Sequence, residues 1–470
     1  MRMYLGGEWV YRDQTVEVLN PYTGQPIDTV PRAGIEDVDL AIKSAERGFQ
    51  QMKQLSAFDR YEFLMKAVAL TKERKEDIAS TLSAEEGKTI NEARVEVDRC
   101  VQTLTWSAEE AKRLRGETIP LAASPGNETK FGFTVRVPVG IVAAISPFNF
   151  PLNLVAHKVG PALAAGNSVV LKPASDTPLS ALKLVEVLLD AGAPAESIQC
   201  LTGPGGAIGD TLVSHQSVRK VTFTGSQEVG EHITRTAGLK KVTMELGSNS
   251  PLVVMPDADM DKVVAATVQS GYSNAGQVCI STQRVIVDGK AYGDYLDALK
   301  PAVEAIAAGD PSSGDTVMGP MVRESDAVRV GEWLDEAVAG GGSLLTGGDR
   351  QGAMMSPAII ANATPDMKAY REELFGPAVL VARASGVDEA IAMANDTRFG
   401  LAAAVFTESI DTAMRFALEV DAGNLNINGG TAFRADMMPY GGLKDSGLGK
   451  EGPTYAIEEM TETKMVIFHR

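Results

Sequence analysis

The strongest constraint on the fold is a repeated alternation of short apolar strands, turns and helical segments that begins at Gly140. Parallel strands need long crossover connections, so this alternation predicts an α/β fold with a parallel sheet wrapped by helices. Ligands of such sheets bind beyond the carboxyl ends of the strands. The predicted strands are Ile141–Ser146, Ser168–Lys172, Ile198–Thr202, Val221–Thr224 and Val242–Leu246.

The chain has 470 residues, more than one hydrophobic core usually organises. A second alternation of strands and helices runs from Leu252 to Ile427 and predicts a separate α/β unit. Before the first sheet, apolar residues at helical spacing oppose charged faces. They predict helices over Asp37–Gln51, Asp59–Thr81 and Glu92–Leu114.

Two segments that alternate between apolar and polar residues predict a β arm. They are Lys130–Val137 and Met460–His469, which are expected to pair within one subunit or between neighbouring subunits. An arm of this kind suggests a homodimer or homotetramer.

The net charge of −17 excludes several classes of partner. Nucleic acid and anionic membranes are captured by basic surfaces, so neither is an expected partner. An anionic substrate would therefore need a local basic pocket. The chain has no apolar run as long as a membrane span, and Met1–Val16 lacks the apolar core of a signal peptide. We therefore expect a cytoplasmic protein.

The chain has three cysteines, a sparse and odd number that fits a reducing compartment and supplies no disulfide framework. Cys100 lies in a predicted helix and Cys200 in an apolar strand, so both are expected to be inert. Cys279 follows a predicted helix and lies among small or polar residues, which suits an accessible thiol. No metal site is predicted.

Two motifs contain the residue types that covalent catalysis at a carbonyl group requires. Glu245, in an apolar run that ends at Gly247, is a candidate general base, and Cys279 is a candidate nucleophile. Taken singly, a packed carboxylate and a buried, inert thiol are the more common interpretations. The presence of further motifs in the same chain decides between the catalytic and the structural interpretation of these two residues.

Together with four further motifs, these two resemble the aldehyde dehydrogenase superfamily along nearly the whole chain. The resemblance implies a Rossmann-like cofactor domain (1–115 and 139–246), an α/β catalytic domain (247–450) and an oligomerisation arm (116–138 and 455–470). The nearest motifs are those of enzymes that act on lactaldehyde, glyceraldehyde 3-phosphate and phosphonoaldehydes. The further motifs are Pro147–Pro151, Leu171–Pro173, Phe223–Gly230 and Glu373–Pro377.

The resemblance also implies a reaction sequence. Cys279 attacks the aldehyde, and the side chain of Asn149 and the backbone N–H of Cys279 bind the oxyanion. A hydride leaves for a nicotinamide, and Glu245 activates the water that hydrolyses the thioester. Glu245 argues against the branch that transfers the acyl group to coenzyme A, although Ser248 replaces a glycine common in the family. An alternative is that Asn149 caps a helix, and both roles are compatible.

The segment Phe223–Gly230 closes a strand and opens a helix, so its amides can face a pyrophosphate. Its glycine spacing differs from the G-x-G-x-x-G fingerprint, and an ordinary strand–helix turn is the alternative. Ser175 stands where many NAD-preferring members have a glutamate that repels a 2′-phosphate, so NADP is expected to serve at least as well as NAD. The residues implied for the cofactor are Ser146, Pro147, Phe148, Lys172, Ser175, Gly225, Ser226, Gly230, Gly247, Glu373 and Phe375.

Three basic residues fall where the substrate tunnel of the family would lie: Arg99, His157 and Arg434. Each alone suits a surface charge or a satisfied core histidine. Together they would bind a carboxylate, phosphate, phosphonate or sulfonate group by charge-assisted hydrogen bonds. With Tyr440, they predict the binding of a small polar or anionic aldehyde.

Three other functions stay open from the sequence. A succinate semialdehyde dehydrogenase would use the same basic residues. A non-catalytic oligomeric binding protein would keep the scaffold, although the intact set of Asn149, Glu245 and Cys279 speaks against it. A cysteine hydrolase would need a histidine paired with Cys279, and none of the four histidines has a matching motif.

Overall fold

A computed structural model of the protein describes residues 1–469. Arg470, the last residue of the predicted arm, lies outside the described residues. The predicted alternation is confirmed, because the described chain forms an eight-stranded sheet, a seven-stranded sheet and a three-stranded arm. No helix within residues 1–469 is long and apolar enough to cross a bilayer.

The first 111 residues form four short strands and four long helices. The apolar faces of α2 to α4 are buried in one core that includes Leu64, Leu82 and Leu104. The elements are β1 (Met3–Leu5), β2 (Glu8–Val10), β3 (Thr15–Leu19), β4 (Pro26–Pro31), α1 (Ile35–Gln54), α2 (Ala57–Glu73), α3 (Lys75–Glu86) and α4 (Ile90–Ala111).

The prediction of one continuous helix over Asp59–Thr81 is wrong, because the helix is interrupted at Arg74. The guanidinium of Arg74 donates to Asp190 at 2.6 Å. The buried stripe continues across the interruption at helical spacing, from Thr71 to Ile78. Periodicity alone therefore gave no sign of the break.

The next segment supplies two arm strands and the centre of the first sheet. Strands β7 to β11 of this sheet run parallel, in the order β9-β8-β7-β10-β11. The elements are β5 (Thr118–Ile119), β6 (Lys130–Pro138), β7 (Ile141–Ile145), α5 (Asn153–Ala164), β8 (Ser168–Lys172), α6 (Leu179–Asp190), β9 (Ile198–Cys200), α7 (Gly205–Ser214), β10 (Val218–Thr224), α8 (Gln227–Ala237) and β11 (Lys241–Glu245).

The second unit contains the seven-stranded sheet, in the order β14-β17-β18-β13-β12-β19-β20. All neighbours in it are parallel except β14 and β17. The elements are β12 (Pro251–Val254), α9 (Met260–Tyr272), β13 (Arg284–Asp288), α10 (Tyr292–Glu304), α11 (Glu324–Ala339), β14 (Ser343–Thr346), β15 (Arg350–Gln351), β16 (Met354–Met355), β17 (Ala358–Ala361), α12 (Lys368–Arg371), β18 (Ala378–Ala384), α13 (Val387–Asn395), β19 (Ala402–Phe406), α14 (Ile410–Glu419) and β20 (Asn424–Ile427).

The end of the chain returns to the first unit. β21 (Gly447–Leu448) lies inside the range 247–450 but pairs with β11 of the first sheet. α15 (Pro453–Glu459) places Ile457 in the core of the first unit. β22 (Thr461–His469) pairs along its whole length with β6 of the same chain, so the predicted pairing occurs within one subunit.

Candidate active site

The carboxyl ends of four parallel strands meet at one edge of the first sheet. Ile145 of β7 lies beside Lys172 of β8, and Thr224 of β10 lies beside Glu245 of β11. The predicted residues that follow these strands therefore lie on the same edge as Lys172 and Glu245. They are Ser146, Pro147, Phe148, Ser175, Gly225, Ser226 and Gly247.

The loop that carries Cys279 is tightly turned. After α9, Asn274 and Ala275 adopt left-handed backbone angles (φ 52° and 53°), followed by Gly276 at φ 72°. A side chain at Gly276 would approach the carbonyl oxygen of Gly376 to 2.1 Å, so only glycine fits. The turn leaves Cys279 half-buried in the wall of a cavity.

Asn149 lies against this loop. Its buried Nδ2 donates to the carbonyl oxygen of Gln277 at 2.8 Å. It does not cap a helix, because α5 begins at Asn153 and the carboxylate of Glu96 accepts from the backbone N–H groups of Leu152 and Asn153 at 2.9 and 3.0 Å. An amide nitrogen carries two hydrogens, so one N–H of Asn149 stays available to an oxyanion.

A buried ion cluster that the sequence did not predict holds Asn149 and the cysteine loop together. Lys88 Nζ lies 2.6 Å from Glu96 and donates to the carbonyl oxygen of Asn149 at 2.8 Å. Asn274 Nδ2 donates to Glu86 at 2.9 Å and to the same carbonyl at 3.2 Å. Helical spacing gives no sign of this cluster, because the contacts from Lys88 to Asn149 and from Glu86 to Asn274 span 61 and 188 positions.

The thiol of Cys279 has a polar neighbour on one side. Tyr440 Oη lies 3.0 Å from its Sγ, and the guanidinium carbon of Arg434 lies 3.7 Å from the centre of the Tyr440 ring. Burial raises the pKa of the Cys279 thiol to about 11, although the hydrogen bond with Tyr440 and the charge of Arg434 act to lower it.

Glu245 is buried, and neither carboxylate oxygen has a hydrogen-bond partner among residues 1–469. Burial and the nearby charge of Glu451 raise the pKa of Glu245 well above its ordinary value. Glu451 contacts Lys158 at 2.7 Å and Arg434 at 3.1 Å. Although burial acts to raise it, these two cations lower the pKa of Glu451 to about 2. These opposite shifts favour the ionised form of Glu451 and the neutral form of Glu245.

The three predicted basic residues do converge, but two acids accompany them. Arg434 Nη2 lies 3.2 Å from His157 Nε2, and Asp436 lies 2.9 Å from both His157 and Arg99. Burial and the charge of Arg434 lower the pKa of His157 to about 4, so this ring is neutral. Arg434 also contacts Glu451. The basic residues are therefore partly neutralised, which the sequence did not predict.

A cavity of about 380 Å³ leads to the thiol. Its size suits a small substrate. Arg99, Arg434 and Tyr440 contribute to its wall together with Cys279, whereas His157 lies behind the wall. Arg434 is buried, and its Nε has no hydrogen-bond partner among the described residues.

On the other side of the thiol, the motif around Glu373 meets the loop after β11. Ser248 N donates to Glu373 at 2.9 Å. A side chain at Gly247 would approach the Glu373 carboxylate to 2.4 Å, so the contact requires glycine. Burial raises the pKa of Glu373 to about 7. Phe375 packs edge-on against Phe148, with ring centres 5.8 Å apart.

The edge of the first sheet fits a dinucleotide. Ser226, the N-cap of α8, makes no side-chain capping bond, which leaves the first amides of this helix open to a phosphate. Gly230 lies in the first turn of α8. Lys172 Nζ is buried and bonds to the carbonyl oxygen of Pro173, and burial lowers its pKa to about 8. Ser175 Oγ donates to the carbonyl oxygen of Gly203 at 3.1 Å.

Comparisons with known proteins agree with this geometry. The sequence matches the Aldehyde dehydrogenase family over residues 9–466. A 3-sulfolactaldehyde dehydrogenase of Priestia aryabhattai is 48% identical over 467 residues, which cover 99% of this chain and 98% of that protein.

Two solved structures are similar along the whole length. Aldehyde dehydrogenase 21 from Physcomitrella patens, in complex with the reaction product succinate, has a TM-score of 0.97 and 40% identity, covering 100% of this chain and 98% of that one. Glyceraldehyde-3-phosphate dehydrogenase GapN from Methanocaldococcus jannaschii, complexed with NADP, has a TM-score of 0.94 and 38% identity, covering 98% and 100%. Since the family model and these relatives match nearly the whole chain, the protein belongs to the aldehyde dehydrogenase family of NAD(P)-dependent enzymes.

Proposed function

We propose that the protein oxidises a small anionic aldehyde, of the sulfolactaldehyde type, to the carboxylic acid. The observation that carries this proposal is the cavity in which the Cys279 thiol and the guanidinium groups of Arg99 and Arg434 share one wall. The similarity to the 3-sulfolactaldehyde dehydrogenase of Priestia aryabhattai supports the same substrate class. Comparing kcat/KM for sulfonate, phosphate, carboxylate and neutral aldehydes tests it, and a preference for neutral aldehydes would contradict it.

In the proposed reaction, Cys279 loses its proton and its Sγ bonds to the aldehyde carbon. The carbonyl oxygen becomes an oxyanion, which the free N–H of Asn149 stabilises. The chemistry that NAD(P) would supply, when held at the edge of the first sheet, is acceptance of the hydride from that carbon. The acyl thioester on Cys279 then reacts with water, from which Glu245 removes a proton, and the carboxylic acid and the thiol are released.

The substrate anion is proposed to bind between Arg99 and Arg434. Nε and Nη2 of Arg99 donate hydrogen bonds to Asp436, so Nη1 stays available to a ligand. Asp436 keeps bonds to Asn153 and His157 even without Arg99. Arg99 can therefore be changed with less disturbance than Arg434, whose loss would leave Glu451 with one cation fewer.

Arg99→Gln is expected to raise KM for 3-sulfolactaldehyde by about 10–100-fold, the effect of losing one charge-assisted contact. KM for propanal should change little, because propanal has no anionic group. Initial rates with both aldehydes measure the difference. Arg94→Gln is the matched control, since Arg94 lies on α4 with 41% of its side chain exposed and pairs with Glu76. Equal effects on the two aldehydes would contradict the assignment.

We propose that NADP serves at least as well as NAD. Ser175 adds no charge where the adenosine ribose would lie, and the adjacent Asp176 is neutralised by an ion pair with Arg323. The NADP complex of the GapN structure supports this preference. A much higher kcat/KM with NAD would refute it.

Ser175→Glu is expected to lower kcat/KM with NADP by about 10–100-fold and to leave the value with NAD unchanged or higher, because a carboxylate repels the 2′-phosphate. Steady-state rates with both cofactors measure this effect. Ser175→Gln adds similar volume without charge and is the matched control. Identical behaviour of the two variants would assign the effect to size rather than charge.

A second candidate substrate is succinate semialdehyde, which the succinate complex of the Physcomitrella enzyme favours. It carries a carboxylate, so the same arginines would bind it. The kcat/KM comparison above also distinguishes this candidate, since a higher value with succinate semialdehyde than with 3-sulfolactaldehyde would replace the leading substrate.

We propose that the protein assembles as a homodimer or homotetramer through the arm formed by 116–138 and 455–470. The arm exposes Phe131 and Phe468. At the edge strand β20, Asn424 Nδ2 and Asn426 Nδ2 are buried without a hydrogen-bond partner in residues 1–469. The exposed aromatic rings of the arm and the edge position of β20 suit contact with another subunit. We also propose that the remaining chain divides into a cofactor domain (1–115 and 139–246) and a catalytic domain (247–450).

The three free thiols support a reducing compartment such as the cytoplasm.

A further inference from the structure

The hydroxyl of Tyr440 lies directly against the sulfur that the proposed reaction uses. Its Oη is 3.0 Å from Cys279 Sγ, and the tyrosine is almost fully buried. Among residues 1–469, Tyr440 is the one side chain hydrogen-bonded to this sulfur. The guanidinium of Arg434 covers one face of the ring, which holds the hydroxyl in place.

The direction of this hydrogen bond depends on the charge of the sulfur. Burial and the neighbouring Cys279 keep the pKa of Tyr440 well above its ordinary value, so the phenol stays protonated. When Cys279 loses its proton, its sulfur can only accept, and the phenol must donate. A hydrogen bond to an anion is stronger than one between neutral groups. The contact therefore favours the thiolate over the thiol.

We infer that Tyr440 is the hydrogen-bond donor that stabilises the Cys279 thiolate, with Arg434 holding the ring in position. The inference rests on the proposed role of Cys279 as nucleophile and gives Tyr440 a role before substrate arrives. Once sulfur has bonded to the aldehyde carbon it is a poor acceptor, so the hydroxyl is released.

Other charges also face the sulfur and shift the pKa of the Cys279 thiol alongside the hydrogen bond from Tyr440. Arg434 favours the thiolate, whereas Glu373 and Glu245 disfavour it. The pKa of Glu373 is about 7 and that of Glu245 lies well above its ordinary value, so their repulsion of the thiolate grows as pH rises. The direct donor is therefore the group whose removal should change thiolate formation most cleanly.

The test is the pH dependence of alkylation of the enzyme by iodoacetamide without cofactor or aldehyde, since only the thiolate reacts. Tyr440→Phe keeps the ring and removes the donor. The midpoint of the pH profile is expected to rise by about 1–2 units, and alkylation below the midpoint to slow by about 10–100-fold. The rate at high pH should stay the same. A midpoint equal to that of the parent enzyme would overturn the inference.

Two further variants make the result specific. Tyr295→Phe removes another buried hydroxyl, bonded to Thr267 at 3.1 Å on α9, and should keep the parent profile. Replacing Tyr440 by 3-fluorotyrosine keeps the hydroxyl and makes it more acidic, so the midpoint should fall. This second change tests the donor even where Tyr440→Phe does not fold, and an unchanged or higher midpoint would contradict it.

The inference and the proposed function fail in different ways. Cys279→Ser identifies the alkylated thiol, because Cys100 and Cys200 are buried. Full turnover by Cys279→Ser would refute the proposed nucleophile. An inactive Cys279→Ser enzyme together with an unchanged profile for Tyr440→Phe would refute only the role of Tyr440.

Discussion

Replacing Cys279 by serine is expected to lower kcat for aldehyde oxidation by at least about a thousandfold. A serine hydroxyl ionises far less readily than a thiol, and neither the hydrogen bond from Tyr440 nor the charge of Arg434 is sufficient to ionise it. The rate of NAD(P)H formation, followed by absorbance, measures the loss.

The control for this variant separates chemistry from folding. Cys200→Ser removes a thiol that is buried in β9, where burial raises the pKa to about 12, and it should keep most of the activity. Cys279→Ser should still bind NADP and unfold at a similar temperature, because the side chain lines a cavity beside a small apolar cluster and serine is close to cysteine in size. Aldehyde oxidation at an undiminished rate would remove Cys279 from the mechanism.

Glu245→Gln is expected to slow turnover by about 10²–10⁴-fold, the usual contribution of a general base. Thiohemiacetal formation and hydride loss do not require this base, whereas hydrolysis of the thioester does. The first turnover should therefore release a burst of NAD(P)H close to one equivalent per subunit. Stopped-flow absorbance measures the burst, and mass spectrometry detects the acyl group on Cys279.

The pH dependence of the same step follows from the raised pKa of Glu245. A carboxyl group acts as a base only when it is ionised, so hydrolysis in the parent enzyme should accelerate as pH rises through the raised pKa. Glu245→Gln should lose this acceleration. A variant that shows neither a burst nor an altered pH profile would assign the hydrolytic base to another residue.

The backbone of the site could be predicted from sequence because it follows from local patterns. Apolar strands followed by turns placed Ser146, Lys172, Gly225 and Glu245 at strand ends, and parallel pairing then brings such ends together. The resemblance in motifs added Cys279 and Asn149, which no periodic pattern indicates.

The charges around the site could not be predicted in the same way. Asp436 lies 279 positions from His157, and Glu451 lies 293 positions from Lys158. Pairs so far apart leave no signal in local spacing. Because these charge pairs could not be predicted, His157 was expected to be a substrate-binding cation. Burial instead leaves its ring neutral behind the cavity wall.

The return of the C-terminal segment to the first unit has a consequence for biosynthesis. β21 completes an edge of the first sheet, α15 fills its core, and β22 covers β6, yet all three are translated after the whole of the second unit. Until the ribosome releases them, the nascent chain exposes the apolar surface that they will cover, and pairings of such long sequence separation form slowly. The first unit is therefore synthesised before the second but completes its fold after it. Chaperones are most needed during the interval between these two events.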